Sequence, residues 1–142
     1  MIEVVNRQRK IKINTQNFLR FAEQSIEIML AAARQSLTIG FVSDKKMREL
    51  NGCFRGVNKT TDVLSFQTEA DEYQENQDYL GDIVISLEQA ERQAEENNLD
   101  LETEIKQLIL HGILHLCGYD HETDNGEMNR KELKLRDKLD IQ

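Results

Sequence analysis

All three histidines of this 142-residue chain fall between positions 111 and 121. His111 and His115 are four residues apart, so on a helix both side chains project from one face on successive turns. Gly118 then permits a sharp change of direction, because glycine adopts left-handed backbone angles at little cost. Such a turn can bring His121 back toward the other two. The spacing therefore predicts a helix followed by a tight turn here, which is the strongest single constraint on the fold.

Three imidazoles in this arrangement predict a metal site. Two on neighbouring turns can both reach one ion at about 2.0–2.1 Å, the usual Zn–N distance. Three protein ligands leave a fourth tetrahedral position for water, which is the pattern of a catalytic rather than a structural zinc. We therefore predict one Zn2+ per chain, held by His111, His115 and His121. The alternative is that each histidine is an ordinary polar residue near a helix end.

The histidine spacing is also that of the metzincin proteases, His-Glu-x-x-His-x-x-Gly-x-x-His, with one difference. Gly112 stands where a metzincin has the glutamate that acts as general base. Losing that carboxylate argues against peptide hydrolysis by the metzincin mechanism. Phosphodiester cleavage is a plausible alternative chemistry, since a metal activates water while a cation stabilises charge on the phosphate oxygens.

Apolar periodicity, β-branched runs and capping residues predict the element order β-α-β-α-β-β-α-α-α. The segments are a strand, whole or broken, from 2–5 and 11–13, a helix at 15–34, a strand at 36–42, a helix from 43 to near 52, strands at 61–66 and 82–86, and helices at 86–97, 100–118 and 125–139. The fold class is thus α+β: a small mixed β-sheet of about four strands packed with about five helices, in one metal-dependent hydrolase domain over 1–142. The acidic segment 67–80 is predicted as disorder or as a functional loop, with disorder favoured.

Composition excludes several classes of protein. The longest apolar run has six residues, 28–33, against the roughly 20 of a membrane span, and no secretory signal opens the chain. Two cysteines, Cys53 and Cys117, are too few for a disulfide framework and are expected to be small buried side chains. We therefore expect a cytoplasmic protein that binds no membrane.

The charge is unevenly distributed. The net charge is −8, but residues 1–60 carry +6 and residues 61–142 carry −14. A polyanion responds to local potential, so a basic face could bind RNA; a solvated surface with chance asymmetry is an equally good explanation. The candidate phosphate contacts are Arg7, Arg9, Lys10, Lys12, Lys45, Lys46 and Arg48.

The sequence resembles the YbeY family, bacterial rRNA maturation factors and single-strand-specific endoribonucleases. Residues 111–121 are similar to the family's His-Gly-x-Leu-His-Leu-x-Gly-Tyr-Asp-His signature. Residues 61–66, with Asn51 and Arg55 upstream, and residues 81–86 provide two supporting matches. The family commonly has proline where this chain has Thr60 and often another where it has Gln67, which affects loop rigidity rather than chemistry.

The resemblance implies a zinc-dependent endoribonuclease acting on single-stranded RNA, in 16S rRNA 3′-end maturation and ribosome quality control. It implies rRNA and the small ribosomal subunit with its proteins as partners, with no DNA expected. It also implies that the three histidines are the zinc ligands and that Arg55 is catalytic through a bidentate grip on phosphate. A surface arginine paired with the acidic half is the alternative for Arg55.

Two other functions remain open at this level: a non-catalytic, zinc-stabilised ribosome-assembly adaptor, and a metallopeptidase. Asp120 and Asp124 flank the third histidine. Each is either a partner for an imidazole N–H, a base, or a solvated turn carboxylate.

Overall fold

The computed structural model describes residues 1–30, 36–68, 79–120 and 123–141. Within these ranges the elements follow the predicted order. They are β1 (Ile2–Asn6), α1 (Thr15–Leu30), β2 (Ser36–Val42), α2 (Asp44–Arg55), β3 (Val63–Gln67), β4 (Tyr79–Ser86), α3 (Leu87–Glu96), α4 (Leu101–Leu116) and α5 (Glu127–Lys138). The predicted α+β class, with a four-stranded mixed sheet and five helices, is confirmed.

The four strands form one sheet in the order β1-β2-β4-β3. β1 and β2 are parallel, as are β2 and β4, whereas β3 pairs with β4 antiparallel. A parallel pair needs a crossover connection, and α1 supplies it between β1 and β2. Gln67 ends β3 and Tyr79 begins β4, so both ends of the acidic segment predicted as disorder or a loop lie in strands, while residues 69–78 lie outside the described residues.

The side chains of the sheet alternate between two apolar clusters, as the pleat of a strand requires. Leu37, Ile39 and Phe41 of β2 are fully buried in the main cluster, together with residues of α1 and α4. Val42 and Leu64 point the other way and form a second cluster with Met47 of α2. Helices therefore cover both faces, and α4 lies against the strands that end at the candidate site.

Helix starts were predicted well and one helix end was not. Ser43, Ser86 and Asp100 each accept a hydrogen bond from the backbone N–H three residues on, as N-caps do. The predicted stop of α2 near Gly52 is wrong by one turn. The helix ends at Arg55, and Gly56 takes the left-handed conformation with φ 68°. The N–H of Gly56 bonds to the carbonyl of Gly52, and the N–H of Val57 bonds to that of Asn51, which satisfies acceptors left unpaired in the last turn.

Two further expectations are corrected. Residues 11–13 form no strand, because the side chain of Gln8 bonds both the N–H and the carbonyl of Ile11 and so replaces a sheet partner. Cys53 is exposed rather than buried, whereas Cys117 is half-buried against the main cluster. The predicted extension of the first helix to residue 34 falls outside the described residues beyond 30.

Among the described helices, none combines the length and apolar character needed to cross a bilayer.

Candidate active site

Helix α4 presents His111 and His115 to a cleft that β3 also lines. Most of its other residues are apolar and buried, and Gly112 is among the buried ones. A Cβ at position 112 would lie 2.9 Å from Cγ2 of the buried Ile83, so only glycine lets the helix approach β4 this closely. This close packing fixes the position of α4 against β4, and with it the position of the two histidine side chains.

The two imidazoles converge through the same type of nitrogen. His111 Nε2 and His115 Nε2 are 3.2 Å apart, and the ring planes are inclined at 75°. Two nitrogens bound to one tetrahedral ion at about 2.0–2.1 Å lie about 3.3–3.4 Å from each other. The pair therefore fits two corners of a zinc coordination sphere with little movement.

The chain reverses after α4 as the sequence predicts. The helix is capped at Cys117, and Gly118 adopts φ 97° while its N–H bonds to the carbonyl of His115. The next two residues, Tyr119 and Asp120, return to line the same cleft as the histidine pair. Burial raises the pKa of the Cys117 thiol, which disfavours the thiolate that a metal ligand would need.

His121, the third predicted ligand, lies outside the described residues, as does Glu122. Within the described residues no group of three or more histidine, cysteine, aspartate or glutamate side chains is arranged to hold a metal ion. The described part of the site is therefore the histidine pair, with the chain returning to the cleft at Asp120.

Arg55 reaches the same cleft from the C-terminal end of α2. Its position depends on Asn51, whose buried side-chain amide donates to the carbonyl of Lys59 at 2.9 Å and closes the loop that follows the helix. Arg55 is exposed, and among the described residues lining the cleft it supplies the cationic side chain. The sequence-predicted Arg55 and the two described histidines are thus brought together.

The cleft has a volume of about 470 Å3 and its far wall is β3. Val63, Ser65 and Gln67 alternate along this strand toward the cleft, and Asp62 precedes them. The Gln67 amide donates to the carbonyl of Leu116 at 3.4 Å, which joins the wall to the end of α4. Ser65 and Gln67 therefore add polar groups opposite the imidazoles.

The basic residues predicted as phosphate contacts are exposed but do not line this cleft. Two of them are paired with acids, Lys10 with Glu88 and Lys46 with Glu49. Asp124, left open by the sequence, accepts hydrogen bonds from the N–H groups of Gly126 and Met128 at the start of α5. Both hydrogen bonds lie within the turn that precedes α5.

Glu132 lies beside the histidine pair, although the sequence did not predict it there. It lies on α5, only 9% exposed, with Oε1 3.6 Å from His111 Nδ1 and Oε2 3.3 Å from the guanidinium of Arg136. A signal was present, because Glu132 interrupts the apolar stripe of Met128 and Leu135 at helical spacing. An acid in such a stripe is buried when the helix packs and must then find partners.

Comparison with known proteins identifies the family. A model of the family described as endoribonuclease YbeY matches residues 3–140. The chain belongs to the endoribonuclease YbeY family. The predicted resemblance is therefore confirmed over nearly the whole sequence.

Relatives named endoribonuclease YbeY are similar along most of their length. The protein of Desulforamulus reducens is 40% identical over 148 residues, covering 97% of this chain and 96% of the relative. That of Syntrophus aciditrophicus is 36% identical over 139 residues, covering 94% and 86%. That of Nautilia profundicola is 50% identical over 98 residues, covering 69% and 68%.

A solved structure shares the fold of this YbeY-family chain. The solution structure of TM1509 from Thermotoga maritima superposes with a TM-score of 0.66 at 29% identity, covering 98% of this chain and 89% of that one. The overall fold is thus shared with a protein whose structure was determined in solution.

Proposed function

We propose that this YbeY-family chain is a zinc-dependent endoribonuclease that cleaves single-stranded RNA during 16S rRNA 3′-end maturation and ribosome quality control. Its membership of the endoribonuclease YbeY family makes it a hydrolase of RNA phosphodiester bonds. The observation that carries the metal part of the proposal is the 3.2 Å approach of His111 Nε2 to His115 Nε2. The rRNA substrate and a small-subunit partner are supported by the sequence resemblance.

The ion would be held by His111, His115 and His121. Imidazole nitrogens are ligands that zinc prefers, and the separation of the described pair suits a tetrahedral ion. Asp120, the residue before His121, lines the cleft, so the chain has returned to the pair just before the third ligand. When bound, such an ion supplies Lewis-acid chemistry: it polarises a phosphoryl oxygen and makes water more acidic.

Arg55 would hold the scissile phosphate. Hydrolysis forms one P–O bond from water and breaks one to a ribose oxygen, and negative charge accumulates on the phosphate oxygens in between. A guanidinium offers two parallel N–H donors to two of those oxygens, and Arg55 is placed to do this from the cleft wall opposite α4. Ser65 and Gln67 add neutral donors beside it for the flanking sugar-phosphate chain.

The packing at Gly112 disfavours the metallopeptidase alternative. In a metzincin this position holds the general-base glutamate. Here a Cβ would meet Ile83 at 2.9 Å, so the position faces the core and leaves no room for a carboxylate near the histidine pair.

Cleavage of a labelled single-stranded RNA carrying an rRNA 3′ end by zinc-loaded protein tests the proposal. Wild type should cut, and identically purified His115→Ala and Arg55→Ala proteins should lose most of this activity. Arg55→Lys, which keeps the charge but not the planar fork, should remain well below wild type. Arg20→Ala is the matched control, since it removes an exposed arginine of α1 that lies outside the cleft and is not one of the candidate phosphate contacts.

Any result that differs from this expectation contradicts a specific part of the proposal. Equal cleavage by all the proteins would reveal a contaminating nuclease. Cleavage that survives in Arg55→Ala but not in His115→Ala would remove Arg55 from the reaction. Folded, zinc-loaded wild type that binds RNA without cutting it would favour the adaptor.

A further inference from the structure

The two ring nitrogens of His111 face different groups. Nε2 points to His115 Nε2 at 3.2 Å, whereas Nδ1 lies 3.6 Å from the Glu132 carboxylate. A neutral imidazole carries its proton on one nitrogen and offers the other as a lone pair. The geometry therefore separates a metal-facing nitrogen from a carboxylate-facing one.

Glu132 is in an unusual place for an acid. It lies on the inner face of α5 between two core residues, Met128 and Leu135, and is itself 9% exposed. Burying an ionised carboxylate costs several kcal/mol unless charged or hydrogen-bonding groups offset it. Its contacts in this position are the Arg136 guanidinium on one oxygen and the His111 ring on the other.

Arg136 contacts one oxygen of this carboxylate and leaves the other for His111. The two residues are four apart on α5, and the guanidinium of Arg136 is 3.3 Å from Oε2. That contact leaves Oε1 directed at α4, toward His111. The arrangement resembles the general pattern in which a carboxylate holds the non-ligating nitrogen of a metal-binding histidine.

We propose that Glu132 is a positioning residue for His111. Its Oε1 accepts a hydrogen bond from Nδ1–H, which fixes the ring orientation and keeps the Nε2 lone pair directed at the ion. The 3.6 Å separation is longer than a hydrogen bond, and a small rotation of either side chain closes it. This inference rests on the proposed metal site, and it adds a residue from α5 to a site built from α2, β3 and α4.

Zinc affinity measured by competition with a chelator tests the role directly. Wild type, Glu132→Ala and Glu132→Gln are compared as full-length, metal-stripped proteins. Loss of a carboxylate behind a histidine ligand lowers metal affinity about 10–100-fold, and we expect this for Glu132→Ala. Glu132→Gln keeps an oxygen that accepts from Nδ1 but no charge, so it should recover part of the loss.

Asp137→Asn is the matched control. It removes one negative charge from the same helix, five residues further on, but Asp137 is exposed. Its zinc affinity should equal that of wild type. If Asp137→Asn and Glu132→Gln lost the same amount of zinc affinity, the effect would come from the net charge of the helix, and the positioning role would be overturned.

Nitrogen NMR of the zinc-loaded protein gives a second readout that needs no activity. The Nδ1–H resonance of His111 should be visible and protected from solvent exchange in wild type and in Glu132→Gln. It should exchange rapidly in Glu132→Ala. If Glu132→Ala does not fold, the Gln variant and the wild-type resonance still decide the question.

The outcomes separate this inference from the function on which it rests. Wild type that binds no zinc would overturn the metal site, and the positioning role with it. Zinc binding that is equally tight in wild type and both Glu132 variants would leave the metal site intact and overturn only the role of Glu132.

Discussion

Among the described residues, two groups of polar and charged side chains differ in how completely their polar atoms are hydrogen-bonded. The first, which we call the Asp44 cluster, consists of Asp44, Thr60, Ser86 and Arg92. The Asp44 carboxylate accepts hydrogen bonds from Thr60 Oγ1 at 2.9 Å, from Ser86 Oγ at 2.5 Å and from the Arg92 guanidinium. It joins the start of α2, the loop before β3 and the start of α3.

The second, the Glu132 cluster, consists of His111, Glu132 and Arg136, and the charge of Arg136 also acts on the buried Glu104. Within the described ranges Glu104 Oε2 and Arg136 Nε are buried without a hydrogen-bond partner, and Oε1 of Glu132 is 3.6 Å from His111 Nδ1. Native proteins tolerate few such atoms, because each costs about 1–3 kcal/mol. The first cluster has partners for its buried polar atoms, whereas the second leaves some of them unpaired beside His111, a candidate metal ligand.

The largest expected effect is on the Asp44 cluster. Asp44→Ala removes the acceptor of three donors, one of them charged, and should lower the free energy of unfolding by about 2–3 kcal/mol. Zinc affinity should stay unchanged. Urea denaturation measures the first quantity, and Asp100→Ala is the control. Asp100 caps α4 through the N–H of Thr103, so its loss should cost about 1 kcal/mol. Equal losses in the two variants would mean that the extra hydrogen bonds of Asp44 contribute nothing.

The contribution of Asp44 should disappear in acid. Burial alone would raise the pKa of Asp44, but hydrogen bonds from Ser86, Arg92 and Thr60 and the charge of Arg92 outweigh it and hold the pKa below its ordinary 3.8. The stabilisation is therefore complete above about pH 3.8 and lost as the pH falls through the lower folded value. Unfolding free energies of wild type and Asp44→Asn should thus differ most at neutral pH and converge below pH 3.8. A difference that does not change with pH would contradict this.

Glu104 should show the opposite dependence. Burial is the main reason that the pKa of Glu104 lies above the ordinary 4.5, and the negative charge of Asp62 raises it further. The hydrogen bond with Asn97 and the positive charge of Arg136 lower the pKa but do not cancel the increase. The stabilisation is therefore complete below pH 4.5 and lost as the pH rises through the folded value. Glu104→Gln should stabilise the protein by about 1 kcal/mol at pH 7, because it removes the buried charge, and by nothing below pH 4.5. Thermal unfolding at pH 7 and pH 4 checks both signs, and destabilisation at pH 7 would show that Glu104 is needed as a charged group.

The smallest effect is expected at Arg92, although it contacts Asp44. Its side chain is half exposed, so the ion pair is screened by water and salt. Arg92→Ala should lower the free energy of unfolding by less than about 1 kcal/mol, and the loss should shrink further in 1 M salt. A loss as large as that of Asp44→Ala would show that the charge of Arg92, rather than the hydroxyl donors, maintains the cluster.

The sequence predicted what depends on local chemistry. Ser86 and Asp100 identified helix starts because a cap acts within one turn of its own position. The spacing of His111 and His115 identified the ligand pair for the same reason, since helical geometry alone brings them together.

The remaining features depend on packing between distant segments. Glu132 is 21 positions from His111, and the contact exists only because α5 packs against α4. The end of α2 was predicted too early because Gly52 and Gly56 are both compatible with a helix C-cap. The hydrogen bond between the Asn51 side chain and the Lys59 carbonyl, which closes the following loop, favours the cap at Gly56. Glu104 and Glu132 were nonetheless detectable in principle, as acids within apolar helical stripes.

The order of the strands has a consequence for how the molecule assembles. β4 is the last strand in the sequence but lies between β2 and β3, so β3 has no partner in the sheet until β4 is in place. The wall of the cleft that faces the histidine pair is β3. Pairings between distant segments form late in folding, because loop closure must precede the contacts that compensate for it. During synthesis, therefore, this wall forms only after residues 79–86 have emerged, and the two sides of the cleft come together only when α4 has docked on the completed sheet.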